Sequence, residues 1–293
     1  MDIFNREIKI TGRVVRIAHL DADTDFFLED PEQILDRLRN FGTRVDIFTF
    51  MQRVPETKPK WSYPMEWHNL AVLPVSTFDR WWTQQIQHTA KVATRKAEKK
   101  GVTARVLPFD GALVRGIWEV YNECPVRRGK PFSHYGESVE EVYREEATYL
   151  DSSIFIGAFL EEKMIGFAKL VVDETLTQAS FVNIISMVRH SDKDPTNTLV
   201  AKAVQTCADR KIPYLVYGNF VYGRKKPDGL TAFKRHNGFE RMDLPRYYVP
   251  LTRVGRAALQ LGLHHRLAER IPEALSARFR VLRSRWYNWR LKA

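Results

Sequence analysis

Two late loops concentrate the side chains best suited to hold a charged group. Residues 187–195 carry Arg189, His190 and Lys193, and residues 219–228 carry Arg224, Lys225 and Lys226. Cations clustered in this way can hold phosphate or carboxylate groups. Tyr217, Asn219 and Tyr222 adjoin the second loop. A tyrosine hydroxyl can donate a proton, and an asparagine amide can orient a carbonyl or another amide. The chain has no Gly-x-Ser-x-Gly elbow, no Gly-x-x-x-x-Gly-Lys-Ser/Thr phosphate loop and no His-Glu-x-x-His helix, which disfavours three familiar chemistries. His264 and His265 are adjacent, and neighbours on a helix point to different faces, so no metal site and no catalytic role is assigned to them.

The elements around these loops dictate where they meet. Residues 179–186 (ASFVNIIS) are rich in strand formers, and residues 196–210 place Leu199, Val200, Ala203, Val204, Cys207 and Ala208 at the period of an amphipathic helix. Residues 213–218 (PYLVYG) then read as a short buried strand. A strand-helix-strand unit makes a parallel pair, and ligands in such sheets commonly bind where neighbouring strands diverge at their carboxyl ends. Both loops leave that edge, which places the candidate chemistry there.

Composition bounds the alternatives. A chain of 293 residues with 44% hydrophobic content can bury a real core, as one large or two modest domains. Cys124 and Cys207 lack metal-ligand spacing and read as reduced, buried thiols, in keeping with a reducing cytoplasm. The opening residues MDIFNREIKI show no basic-then-apolar signal pattern, and no apolar run approaches the ~18 to 20 residues of a bilayer span, so a protein neither secreted nor transmembrane is expected. Of the net charge of +11, residues 251–293 carry +8, with ten Arg or Lys against Glu269 and Glu273. The part before residue 251 is therefore nearly balanced, and the basic character belongs mainly to the tail.

Along the chain, residues 1–75 alternate strand and helix signals. Strands are expected at 14–18, 45–50 and 70–75, with a helix at 31–41 that Asp30 can cap, Pro31 can open and Gly42 can end. Residues 54–63 are a loop by composition. Residues 76–100 read as one long helix with Trp82, Ile86, Thr89, Ala93 and Ala97 on one face. Another face displays Lys91, Arg95 and Lys99, flanked by Lys96 and Lys100, a stripe that could hold phosphates or simply face solvent. A strand at 102–107 and helices at 111–122 and 138–150 follow, with a polar loop at 125–136 holding Arg127, Arg128, Lys130, His134 and Tyr135. Residues 154–160 and 164–172 form an antiparallel hairpin that feeds the strand at 179.

This element order over residues 88–250 resembles the GNAT acyltransferase superfamily, and most of all its Fem-type peptidyltransferase branch. Three local sequences carry the resemblance: 95–102 (RKAEKKGV); 155–159 (FIGAF) with 165–168 (IGFA); and 230–234 (LTAFK) followed by Asn237-Gly238-Phe239. It implies an α/β (α+β) fold with a mixed central sheet flanked by helices. Acetyl-CoA-dependent members have a Gln/Arg-x-x-Gly-x-Gly/Ala turn, whose glycines let backbone N–H groups approach a pyrophosphate. Here residues 189–194 (RHSDKD) contain no glycine, which weakens the case for coenzyme A. Where those enzymes often have a tyrosine general acid, this chain has Lys234. Fem-type proteins resemble it in having Phe-Lys there, and they take their acyl group from aminoacyl-tRNA.

The resemblance thus implies amine acylation, with no permanently bound cofactor and an acyl donor, aminoacyl-tRNA or acyl-CoA, as co-substrate. The reaction needs a neutral acceptor nitrogen, stabilisation of the tetrahedral oxyanion, and a proton or charge for the leaving group. Lys234 would serve the last two electrostatically, although a lysine on an exposed helix is ordinarily just solvated. Tyr217, Tyr222 and Asn219 would stand beside it, Arg189, His190, Lys193, Arg224 and Lys225 would hold the phosphorylated donor, and backbone N–H groups near residues 185–187 would polarise the carbonyl. Three segments are expected: 1–75, an α/β half-domain that could be a degraded second GNAT-like unit; 76–250, the GNAT-like acyltransferase domain; and 251–293, a basic helical tail. After a closing strand at 247–250, the tail has helices around 254–271 and at 273–292. The second has a stripe of Leu275, Phe279, Leu282, Trp286 and Trp289 ringed by Arg278, Arg283, Arg285 and Arg290. It could dock on the domain, lie on an anionic membrane or bind nucleic acid. The expected setting is the cytoplasm, with peripheral membrane contact left open. The alternative to an enzyme is a non-catalytic GNAT-like module that binds RNA or an anionic membrane through its basic helices.

Overall fold

The computed structural model describes residues 2–3, 6–20, 28, 30–40, 42–127, 129–222 and 228–265. Arg128, Arg224, Lys225 and Lys226, and the expected helix at 273–292 with Arg283 and Arg285, lie outside the described residues. The chain forms two compact units. One comprises the described residues of Met1–Ala71, Asn219–Arg224 and Arg241–Ile271, and the other those of Val72–Gly218, Lys225–Glu240 and Pro272–Ala293. Among the described residues, no helix is long and apolar enough to cross a membrane.

The first unit opens with β1 (Asp2–Ile3), β2 (Arg6–Thr11) and β3 (Ile17–Leu20), followed by α1 (Pro31–Arg39), β4 (Ile47–Met51) and the start of β5 (Met65–Pro74). Asp30 caps α1 by accepting from the Glu32 amide at 3.2 Å, and Pro31 supplies the first helical position, where its missing N–H costs nothing. Ile34, Leu35 and Leu38 then turn to the core with Phe48 and Phe50. The strand expected at 14–18 starts later, because residues 13–15 form a bend with Val14 exposed.

The second unit takes up β5 at Val72 and continues through α2 (Phe78–Arg80), α3 (His88–Lys99), β6 (Val102–Leu107), α4 (Gly111–Tyr121), the small hairpin β7 (Val126–Arg127) and β8 (Lys130–Pro131), and α5 (Val139–Glu146). Then come β9 (Ser153–Leu160), β10 (Lys163–Val172), β11 (Gln178–Ser186), α6 (Pro195–Asp209), β12 (Tyr214–Asn219) and α7 (Gly229–His236). Its mixed sheet has the order β5-β12-β11-β10-β9-β6, antiparallel from β11 outward to β6 and parallel between β11 and β12. Helices α4 and α6 pack on this sheet, which is why β10 is almost continuously apolar instead of alternating. Cys207 is buried in α6, and burial pushes its thiol up to about 12; Cys124, expected buried, is only half-buried.

The single helix expected over 76–100 is broken. After α2 a wide turn at Trp81–Gln85 ends at Ile86, whose backbone is extended, and α3 starts at His88. The wide turn brings both Trp81 and Ile86 to the interior, which regular helical spacing of five residues would not do. The Trp81 indole donates to the Asn237 carbonyl at 2.9 Å, and the Gln87 amide donates to the His236 carbonyl at 2.8 Å.

The chain returns to the first unit in β13 (Glu240–Pro250) and α8 (Arg253–Gln260), giving that unit the order β1-β2-β3-β4-β13-β5. His264 and His265 do not point to different faces, contrary to the helical expectation. Helix α8 stops at Gln260, and in the turn beyond it both rings approach Glu66 Oε1, at 3.0 and 3.1 Å, with their centroids 4.0 Å apart.

Candidate functional site

The register between β11 and β12 ends at Ser180 and Val216, while the strands run on to Ser186 and Asn219. The parting opens a cavity of about 880 Å³ within the second unit. Its wall is built from residues 182–186 of β11, the first turn of α6, Ala90 and Ala93 of α3, Leu230 and Phe233 of α7, and Tyr217. This is the carboxyl-end gap that the strand-helix-strand reading requires.

The strand supplies backbone donors. Met187 N–H is committed to the Ile165 carbonyl at 2.8 Å, so the expectation for residues 185–187 is corrected at that position. Alternation along the antiparallel ladder then turns the N–H groups of Ser186 and Ile184 away from β10, toward the gap.

Lys234 is not solvated, as an exposed helical lysine would be. It is 0% exposed, and its Nζ lies 4.6 Å from the centroid of the Tyr217 ring. Burial pulls its pKa down to about 8, opposed by the charge of Asp228, which caps α7 by accepting from the Leu230 and Thr231 amides at 3.0 Å each. Tyr217 lines the cavity and is packed edge-on by Phe233 and Phe239, so it is the lining residue through which Lys234 adjoins the cavity. The turn after α7 depends on Gly238: its φ is +87°, and a Cβ there would meet the Gln85 carbonyl oxygen at 3.1 Å. That gives the Asn237-Gly238-Phe239 sequence a physical reason.

Other candidates fall elsewhere. Asn219 and Tyr222 belong to the first unit, where Asn219 Oδ1 pairs with His68 Nε2 at 2.9 Å and Tyr222 is exposed. Burial, with Arg246 nearby, holds His68 down at about 4, so it is neutral and its Nε2–H donates to Asn219. Arg189, His190 and Lys193 sit on a short turn (Val188–Lys193) whose lining residues are instead Val188 and Ser191. The Glu123 carboxylate accepts from the Val188 and Arg189 amides at 3.0 and 2.9 Å and fixes that turn, while Lys193 pairs with Asp192 at 3.1 Å. The basic stripe of α3 is likewise engaged: Lys96 with Asp194 at 2.7 Å, Lys100 with Asp192 at 3.1 Å, and Arg95 over the Trp82 ring.

Sequence reading missed a buried polar cluster behind β11. Glu146, 2% exposed, accepts at Oε1 from Tyr121 Oη (2.8 Å) and from Asn183 Nδ2 (2.9 Å). Lys169 is 1% exposed and donates to the Glu146 and Thr148 carbonyls at 2.9 Å each, with its Nζ 3.8 Å from Glu146 Oε2. Burial raises the Glu146 carboxyl and the Tyr121 hydroxyl above their usual values. The available signal was Lys169 itself, a lone charge inside an otherwise apolar strand.

No protein-family model matches the sequence, and no curated protein matches it. Solved structures do share the fold. The C-terminal domain (DUF2156) of a protein provisionally assigned as a lysylphosphatidylglycerol synthetase from Agrobacterium fabrum superposes with a TM-score of 0.55 at 17% identity, covering 88% of this chain and 84% of that one. L-PGS from Bacillus licheniformis gives 0.56 at 14%, covering 84% and 81%. FemX gives 0.49 at 12%, covering 82% and 72%. The likeness at these identities is one of fold. The chain has the mixed α/β fold of the first two of these structures.

Proposed function

We propose that this chain is an acyltransferase that passes an acyl or aminoacyl group to an amine. The observation that carries the reading is the parted β11–β12 edge, with free backbone donors on one side and Tyr217 backed by the buried Lys234 on the other. The amine nitrogen would attack the carbonyl carbon, the oxyanion would rest on the Ile184 and Ser186 amides, and the C–O or C–S bond to the donor would break. The amine gives up a proton and the leaving group takes one. A Tyr217 hydroxyl beside a nearby cation is suited to deliver it, and Lys234 supplies the charge.

An ester-linked aminoacyl donor suits the site better than acyl-CoA. Where a pyrophosphate would meet the start of α6, the chain has Asp194, whose carboxylate is negative, and Pro195, which has no N–H to give. The name lysylphosphatidylglycerol synthetase also describes an acyl transfer, and that protein shares this fold. The binding-module alternative draws no support from the neighbours, and two lysines flanking its α3 stripe, Lys96 and Lys100, are paired with Asp194 and Asp192. Lys234→Ala tests the enzyme reading: turnover should fall by about 10²-fold or more with the fold retained, whereas unchanged turnover would remove Lys234 from the mechanism.

A further inference from the structure

The cluster behind β11 has a consequence for what the cavity holds. Asn183 lines the cavity, and its side-chain NH2 is committed inward, to Glu146 Oε1 at 2.9 Å and toward Tyr121 Oη at 3.4 Å. Glu146 Oε1 accepts at this position, so it selects one flip of the amide: nitrogen inward, oxygen toward the cavity. Glu146 is itself immobilised by Tyr121 and by the Lys169 contacts, so this orientation is built into the core. The cavity wall also includes the apolar Ile184 and Phe132, the latter covered by Arg127.

The carboxylates around this wall are paired, Asp194 with Lys96 at 2.7 Å and Glu146 with Lys169 at 3.8 Å. Asp194 adds a carboxylate to the cavity wall and Glu146 lies behind it. Arg127 on the same wall is spent on the carbonyls of Ser186 and Val120, at 2.7 Å each, and lies 3.7 Å from Glu123. A fixed carbonyl oxygen only accepts, so it matches an N–H-bearing amine and offers a phosphate no donor.

We infer that Asn183 is the hydrogen-bond acceptor of an amine-binding subsite, and that Glu146 is the positioning residue that turns its oxygen to the ligand. The inference deepens the acyltransferase reading and rests on it for the two sources of the amine: the α-amine of an aminoacyl donor, or the attacking acceptor.

Binding alone tests it. Calorimetric titration of the full chain with leucinamide, 4-methylpentanamide and 3-methylbutylamine presents the amine beside a carbonyl, the carbonyl without the amine, and the amine alone. Leucinamide should bind about tenfold tighter than 4-methylpentanamide, the worth of one charge-assisted hydrogen bond. Asn183→Leu should abolish that preference while leaving 4-methylpentanamide binding unchanged, and Tyr121→Phe, which loosens Glu146 without removing it, should reduce the preference partly. If 3-methylbutylamine binding is the more sensitive to Asn183→Leu, the amine belongs to the acceptor; if leucinamide binding is, it belongs to the donor. A preference that survives Asn183→Leu, no preference in the wild type, or no saturation by any of the three overturns the subsite. An amine preference without any acyl transfer would leave the subsite standing and overturn the transferase reading; transfer without an amine preference would do the reverse.

Discussion

Replacing Lys234 with methionine should stabilise the protein near neutral pH, by an amount that shrinks as the pH rises. Burial lowers the Lys234 ammonium to about 8 from the usual 10.5. That difference corresponds to about 3 kcal/mol. The unfolded lysine keeps its proton up to about pH 10.5 and the folded one only to about 8, so the folded state carries the whole penalty below pH 8 and is relieved of it between 8 and 10.5. The penalty is about 3 kcal/mol at about pH 6.5 and about 1 kcal/mol at about pH 9.5. Methionine fills the same space without charge. Loss of the ammonium contact with the Tyr217 ring costs about 1 kcal/mol in return. Urea denaturation should therefore show Lys234→Met more stable than wild type by about 2 kcal/mol at about pH 6.5, with the gap narrowing by about 2 kcal/mol at about pH 9.5. The same variant should lose acyl transfer. A variant destabilised to the same extent at both pH values would mean that Lys234 is a structural cation, and the argument for a retained, functionally costly charge would fall.

Further predictions concern the neighbours of this lysine. Tyr217→Phe keeps the ring beneath the ammonium, and turnover should drop if the hydroxyl delivers the proton; unchanged turnover would assign proton delivery elsewhere. Gly238→Ala must adopt φ near +87° against the Gln85 carbonyl and should cost about 1 to 2 kcal/mol, measurable as a lowered Tm. Joint replacement of Lys96 and Lys100 by alanine breaks two exposed pairs and should change stability by less than about 1 kcal/mol. A larger loss in denaturant titration would give those pairs a structural role.

The sheet and most helices were legible because hydrophobic period and caps agree locally. Residues 102–107 form a strand as expected, Asp30 and Pro31 open α1 as expected, and the hairpin and the parallel pair stand where the pattern put them. The break after Trp81 was not legible, because it answers to Asn237 and His236, more than 140 residues away in sequence, and not to any Gly or Pro at the break. In the site, the parted edge followed from topology, and the loop at 187–195 does line it, but through Val188, Ser191 and Asp194 and not through Arg189, His190 or Lys193. Lys193 read as ligand-holding because composition shows charge and hides partners such as Asp192, and composition likewise hides that Glu123 fixes the turn through the Val188 and Arg189 amides. Asn183 was inconspicuous for the opposite reason: its orientation depends on Glu146 and Tyr121, brought in from the ends of two other helices.

The most direct measurement of the central claim is amine-dependent discharge of a donor by the purified protein. Labelled aminoacyl-tRNA and labelled acetyl-CoA would be incubated in parallel with an amine acceptor mixture, with wild type and with Lys234→Ala. The account predicts label transferred to amine from aminoacyl-tRNA, little from acetyl-CoA, and loss of transfer in the variant. No amine-dependent transfer from either donor, or transfer unaffected by Lys234→Ala, would contradict it.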